Sequence, residues 1–297
     1  MRPNFLIIGA PRSGTTALYE GLAQHPEIFM SPRKEPWFAG FTDDPGPWRG
    51  PRDAQPVRSW EEYESLFAGA EGAKAIGEAS TLYLAAPPAP TRISESLPDV
   101  RLIAILRNPV DRAYSNFLEH VQEGREGELD FARALAAEPQ RMRRRWAPSW
   151  AYAGLGFYAA QLARYFAEFP RERMLVLLYD DLKDRPGLYS TIFGFLGVDR
   201  TLVPSLPPRT NENSGIPKNR LLHAILTRPN PMRRAMRSVL SDGQRKSLRA
   251  WLLHHSLERP HLDPALRAAL TKGFREDILR TEELLGRDLS HWLAEQD

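Results

Sequence analysis

Eight residues near the start of the chain, Gly9-Ala10-Pro11-Arg12-Ser13-Gly14-Thr15-Thr16, combine two glycines, three hydroxyls and a cation in a form that can cradle an anion. Backbone N–H groups in such a turn converge on one point, and a helix starting there adds the positive end of its dipole. The spacing from Gly9 to Gly14 matches a nucleoside-triphosphatase loop, but Thr15 stands where that loop has the lysine that reaches the β/γ-phosphates. The cation inside the loop is Arg12, so the cradle suits a nucleotide with a shorter phosphate chain. An accidental glycine pair is the alternative. The clustering of Pro, Gly, Ser and two Thr at a first helical turn argues against it.

A second set of residues suited to anions is Arg107 and Ser115. The run Arg101-Leu102-Ile103-Ala104-Ile105-Leu106 leads straight into Arg107, and Pro109 sits where a first helical position is favoured. Ser115 follows two turns later, so one group lying along the helix could touch both the guanidinium and the hydroxyl. In an open parallel sheet the carboxyl ends of the strands line the ligand crevice. Arg107 and the Gly9–Thr16 loop should therefore share a rim, which implies a ligand with phosphates at two places. The competing reading pairs Arg107 with Asp111 or Asp180 at a helix boundary.

The elements that must position these groups are legible as alternating strands and helices. Phe5-Leu6-Ile7-Ile8 reads as a strand entering the loop, and Ala17 to Leu22 as the helix leaving it. Further strands are expected around Ala75–Glu78, Val100–Leu106 and Met174–Tyr179, the last two apolar enough for burial on both faces. One helical face is marked by 158, 162, 165, 166 and 169. Another is marked by Leu266, Leu270, Phe274 and Ile278, with Asp263-Pro264 as a start signal and Gly286 as a stop. Residues 31–58 are crowded with Pro, Gly and aromatics and read as an ordered loop, either over the site or packed on the body of the protein. The pattern implies one α/β domain over 1–297, with a central parallel sheet flanked by helices and a P-loop-like nucleotide-binding core.

Composition bounds the rest. The chain has 297 residues, 42% of them hydrophobic, and a net charge of +3, so it is not a polycation. It has no cysteine, which excludes disulfides and thiolate metal sites. The first strand begins too early for a leader, and no apolar run approaches the ~20 residues needed to span a bilayer. A soluble cytoplasmic protein is expected. Six lysines beside thirty-four arginines suggest a GC-rich bacterial genome.

The Gly9–Thr16 loop and Leu106-Arg107-Asn108-Pro109 with Ser115 together resemble the 5′-phosphosulfate loop and 3′-phosphate motif of sulfotransferases that use 3′-phosphoadenosine 5′-phosphosulfate (PAPS). Lys34-Glu35-Pro36-Trp37-Phe38 resembles a segment of the heparan-sulfate-type branch and its bacterial relatives. Gly77-Glu78-Ala79-Ser80, Gly156-Phe157-Tyr158-Ala159-Ala160-Gln161-Leu162 and Leu285-Gly286-Arg287-Asp288-Leu289-Ser290-His291-Trp292 are similar too, so the resemblance runs from about residue 4 to 293.

The resemblance implies that Arg12, Ser13, Gly14, Thr15 and Thr16 hold the 5′-phosphosulfate, and that Arg107 with Ser115 holds the 3′-phosphate. Lys218 and Arg220 lie where the family brings a late basic loop to the nucleotide. Glu35 stands at the position of the catalytic glutamate, with His120 and Glu78 as rival bases. Arg12 replaces a common lysine, keeping the charge but serving less well as a proton donor, a role that Lys34 could fill. Trp37 replaces a histidine, which favours a more apolar acceptor. The acceptor itself is a small molecule, lipid or carbohydrate. No metal is expected, because cations can neutralise the leaving phosphate; the product would be adenosine 3′,5′-bisphosphate.

The region 218–259 holds ten Lys/Arg against two Asp/Glu, and Arg141, Arg143, Arg144 and Arg145 form another basic cluster. Both read first as solvated faces, with peripheral membrane contact or an acidic acceptor as the alternative. A small-molecule or nucleoside kinase would share the first loop but needs its lysine and a magnesium site. A non-enzymatic nucleotide- or nucleic-acid-binding protein is the third reading; no nucleic-acid motif accompanies the basic segment, so no nucleic acid is expected.

Overall fold

The computed structural model describes residues 1–41, 48–51, 55–205, 215–217, 257–258, 260 and 261–294. Its centre is a five-stranded sheet in which every neighbouring pair is parallel. The strands are β1 (Phe5–Gly9), β2 (Ile28–Met30), β3 (Ala75–Ala79), β4 (Arg101–Leu106) and β5 (Met174–Leu178), in the order β2-β3-β1-β4-β5. The three expected strands after β1 are all present. The additional strand β2 has only three residues and exists by pairing Ile28, Phe29 and Met30 with Ala75, Ile76 and Gly77.

Every residue of β1 is buried, as is every residue of β4 after Arg101, because helices cover both faces of the sheet. One face packs Phe5, Ile7, Ile103 and Ile105 against α1 (Thr15–Leu22) and α8 (Arg185–Leu196). The other packs Leu6, Ile8, Leu102 and Ala104 against α4 (Ala89–Ser96), α7 (Tyr158–Glu168) and α9 (Pro264–Leu285). The alternation along each strand is what assigns its residues to the two layers. Short helices α2 (Phe38–Phe41) and α3 (Trp60–Ser65) precede β3, and α5 (Pro109–Gln122) and α6 (Phe131–Arg143) follow β4. A two-stranded pair, β6 (Ile216–Pro217) and β7 (Leu257–Glu258), is antiparallel.

The last helix begins and ends where its caps require. Asp263 accepts from the Leu266 N–H at 2.8 Å, Pro264 opens the first turn, and Gly286 closes the helix at φ 62°. Residues 285–294 then return to the sheet, where Asn108 donates to the Trp292 carbonyl at 3.2 Å and Arg287 forks onto Asp181 at 2.9 and 2.8 Å. The described part of the 31–58 segment packs inward: Trp37 and Phe38 are buried, and Trp48 lies 5.4 Å from Trp37, ring to ring. Trp37 and Phe38 thereby leave water, and Lys34 reaches Thr16 at the edge of the loop between β1 and α1.

Candidate active site

Strand adjacency brings the two anion motifs together. β1 and β4 are neighbours, and the first residue of the loop beyond β1 continues the ladder, with the Ala10 N–H donating to the Ile105 carbonyl at 2.8 Å. Arg107, the first residue after β4, donates to the Arg12 carbonyl at 3.2 Å, and its guanidinium lies 4.6 Å from the centre of the Tyr179 ring. Asp111 pairs instead with Arg267, and Asp180 with Lys183 and His291.

Gly14 supplies the turn into α1 at φ 95°, and a Cβ there would sit 2.6 Å from Leu182 Cδ1. The backbone angle is what favours glycine, since the Leu182 methyl can turn aside. Gly14 provides no side-chain cap, so the first N–H groups of α1 face the loop without one. Ser13 and Thr15 are buried within this nest. Thr16 Oγ1 accepts from Lys34 Nζ at 2.7 Å, which sets an ammonium beside the cradle. Burial pulls the Lys34 pKa below the ordinary lysine value, with Glu35 and Glu119 opposing the shift.

The Arg12 side chain crosses from the first motif to the second. Its Nε donates to Ser115 Oγ at 3.1 Å, and its guanidinium also pairs with Glu119, one turn further along α5. Arg12 therefore bridges the loop and the Ser115 face of α5 in this state. Arg112 is the functional candidate that sequence reasoning missed. It has no exposed surface and donates to the Tyr152 carbonyl, while its Nε and Nη1 find no hydrogen-bond partner among the described residues. Burial lowers its pKa; Tyr158 and Glu138 oppose this, and Arg107 and Arg12 add to it. The available signal was an arginine three residues before Ser115, on the same helix face. The charges of Arg107 and Arg12 act on Arg112, so an anion seated at Arg107 and Ser115 would offset their mutual repulsion. The residues present fit a nucleotide carrying two phosphates.

Glu35 sits at the far edge of the nest in a turn of unusual backbone, with φ 59° at Glu35 and 53° at Trp37. Its carboxyl accepts from the Thr81 N–H at 2.8 Å, Thr81 Oγ1 at 2.9 Å and Trp37 Nε1 at 2.6 Å, and lies 4.0 Å from Lys34 Nζ. Burial raises its pKa; Lys34 and these donors oppose the rise without cancelling it. That moves the carboxylate toward the range of a useful base.

The structure buries both rival bases. His120 is enclosed on α5, with Nδ1 3.1 Å from the Tyr152 hydroxyl and its ring against Trp150. Tyr152 donates its proton to Glu126 at 3.0 Å, so Nδ1 must carry the hydrogen of the His120 contact. Burial, reinforced by Arg125 and Arg12, pushes the His120 pKa well below the ordinary histidine value, and its place beneath the surface keeps it from an incoming acceptor. Glu78 also lies beneath the surface, with no exposure. Arg141 departs from the expected solvated cluster: it is buried and forks onto Glu126 at 2.6 and 3.1 Å. Lys218 and Arg220 lie outside the described residues, as does most of the basic 218–259 region.

A parallel α/β sheet with a glycine loop after its central strand, and an arginine beyond the neighbouring strand on the same rim, is the frame of a P-loop-like fold. Residues 3–201 match the model of the sulfotransferase family, and the chain belongs to that family. A solved sulfotransferase from Alicyclobacillus acidocaldarius is similar over 99% of this chain and 100% of its own, at 33% identity and a TM-score of 0.78. Heparan sulfate glucosamine 3-O-sulfotransferase 6 of Mus musculus is 29% identical over 205 residues, 68% of this chain and 54% of that protein. Membrane-associated sulfotransferase kil1 of Dictyostelium discoideum is 35% identical over 121 residues, 40% of this chain and 23% of that protein. The chain thus spans about half or less of the length of these curated relatives. The kinase reading is not favoured.

Proposed function

We propose that the chain is one sulfotransferase domain, residues 1–297, that moves a sulfuryl group from PAPS to a hydroxyl of a small-molecule, lipid or carbohydrate acceptor. The observation that carries the reading is the convergence of two anion sites, with Lys34 beside one and Glu35 next to it. Family membership supports the reaction class, and the heparan sulfate enzyme among the relatives makes carbohydrate one of the acceptors to test first. Among the described residues no helix is long and apolar enough to cross a membrane. Placement in a bacterial cytoplasm belongs to the same proposal.

In this reading the Gly9–Thr16 loop and Lys34 hold the 5′-phosphosulfate, while Arg107 and Ser115 hold the 3′-phosphate. Arg12 exchanges its contacts with Ser115 and Glu119 for the donor's charge. Lys218 and Arg220 are assigned to the nucleotide by motif position alone. Glu35 takes the acceptor's hydroxyl proton as the acceptor oxygen bonds to sulfur, and the bond from sulfur to the bridging phosphate oxygen breaks in line. Lys34, its pKa lowered by burial, donates to that departing oxygen, and Arg12 offsets its charge. These cations occupy the place that magnesium takes in phosphoryl transfer, so turnover needs no divalent ion.

Incubation with PAPS and a mixed acceptor extract, read by mass spectrometry, tests the reading. A product carrying an added sulfo group, with release of adenosine 3′,5′-bisphosphate, is expected. Transfer from ATP with magnesium, and none from PAPS, would overturn it.

A further inference from the structure

Glu78 is a buried carboxyl that the proposed chemistry does not use. It lies on β3 between two neighbouring strands, so its side chain must emerge into a packed layer, where it has no exposed surface. The hydroxyl of Tyr63, from α3, donates to Oε1 at 3.3 Å, and the hydroxyls of Ser80 and Tyr83 lie near enough to favour the charged form. Oε2 has no partner among the described residues. All three hydroxyls are neutral, and a buried carboxylate with one neutral donor and one bare oxygen is a costly state.

The same network reaches the turn that presents Glu35. Ser80 Oγ, which faces Glu78, accepts the Trp37 N–H at 2.9 Å. Trp37 in turn donates its indole N–H to Glu35 Oε2 at 2.6 Å. Both Glu35 and Trp37 have positive φ, which non-glycine residues hold only when their surroundings fix them. The bond from the Trp37 N–H to Ser80, two residues beyond Glu78, is one such fixture. Tyr83, whose hydroxyl lies near Glu78, supplies a second by accepting the Ala39 N–H at 3.2 Å.

We propose that Glu78 is a positioning residue for Glu35: as the neutral acid it holds Ser80 and Tyr83 in the arrangement that fixes the Glu35 turn, and its ionisation disables the base. This rests on the role given to Glu35 above. The groups facing Glu78 are Tyr63 from α3, Ser80 and Tyr83 from the segment after β3, Glu35 from the turn, and Tyr165 from α7, whose hydroxyl bonds to the Tyr83 carbonyl at 2.9 Å. None supplies a cation to stabilise a carboxylate. Burial accordingly pushes the Glu78 carboxyl up to about 8, with Glu35 adding to the rise and the hydroxyls opposing it. Ionisation places a second negative charge beside Glu35 and leaves a charged group in a dry layer, which loosens the turn.

The test compares the wild type with Glu78→Gln across about pH 6 to 9, measuring turnover from PAPS, affinity for adenosine 3′,5′-bisphosphate and side-chain carboxyl 13C NMR. The wild type should lose turnover with a midpoint near pH 8, together with a carboxyl resonance titrating there. Glu78→Gln should lack that resonance and that alkaline limb, with nucleotide affinity unchanged and neutral-pH turnover within about threefold of wild type. An alkaline limb that persists in a folded Glu78→Gln variant overturns the inference, as does a loss of more than about tenfold at pH 7. Should the variant fail to fold, absence of any carboxyl titrating above about pH 7 in the wild type overturns it. No turnover from PAPS at any pH defeats the sulfuryl-transfer reading and this inference with it, whereas turnover with an unchanged limb defeats this inference alone.

Discussion

Replacing Glu78 by Gln should change how folding stability depends on pH, and the size of the change follows from where the carboxyl sits. Its pKa is raised by burial from 4.5 in the unfolded chain to about 8 in the fold. Between those values the native state binds more protons than the unfolded state, so stability falls as pH rises through the window. A tenfold difference in proton affinity between the two states corresponds to about 1.4 kcal/mol. The gap between 4.5 and about 8 therefore removes on the order of 4 to 5 kcal/mol by pH 8, a ceiling that relaxation of the site reduces. That is a large part of the ~5–15 kcal/mol typical of a folded domain. Gln cannot ionise and escapes the loss. Urea unfolding of both proteins at several pH values gives the difference in unfolding free energy, and other titrating groups largely cancel in it. The Gln variant should gain on wild type by about 1 kcal/mol per pH unit from about pH 5 to 8, then level off. Parallel stability curves across that range would refute the account of Glu78 as a neutral buried acid.

Other substitutions separate the roles assigned around the nest. Glu35→Gln keeps the contacts with Thr81 and Trp37 close to native while deleting basicity, so turnover should fall by ~10²–10⁴ with nucleotide affinity preserved in calorimetry. Lys34→Met should lower turnover by a comparable factor, and EDTA should leave the wild-type rate unchanged in a steady-state assay. His120→Asn should keep turnover within about tenfold of wild type while costing roughly 1 kcal/mol of stability in urea unfolding, as expected for a lost buried hydrogen bond.

What could be read from the sequence was what local chemistry dictates. The strand, glycine turn and helix around Gly14 follow from backbone conformation, and the last helix follows from Asp263, Pro264 and Gly286. The placement of Arg107 beside the loop followed from a general rule about parallel sheets, and the β1–β4 pairing satisfies it. Features that depend on distant partners were not legible. β2 is three residues whose strand character comes from β3. The course of the Arg12 side chain is set by Glu119, more than a hundred residues away. Arg141 belongs to a run of exposed-looking arginines until Glu126 and Tyr152 enclose it. His120 looked like a base because it shares a helix with Ser115, but helical phase turns it toward Trp150 and Tyr152. Glu35 carried no local signal beyond its motif; the turn that presents it is fixed by Ser80 and Thr81 on the far side of β3.

The central claim is that the Gly9–Thr16 loop and the Arg107–Ser115 pair bind two phosphates of one nucleotide. Titration calorimetry without magnesium, using adenosine 3′,5′-bisphosphate and adenosine 5′-monophosphate against wild type and Arg107→Ala, measures the contribution of the second site directly. The ligands differ only in the 3′-phosphate. A charge-assisted contact worth ~1.5–3 kcal/mol predicts that wild type prefers the bisphosphate by roughly 10- to 150-fold. Arg107→Ala should erase most of that preference while leaving affinity for the monophosphate unchanged. Equal binding of the two nucleotides by wild type, or an equal loss for both in the variant, would contradict the account.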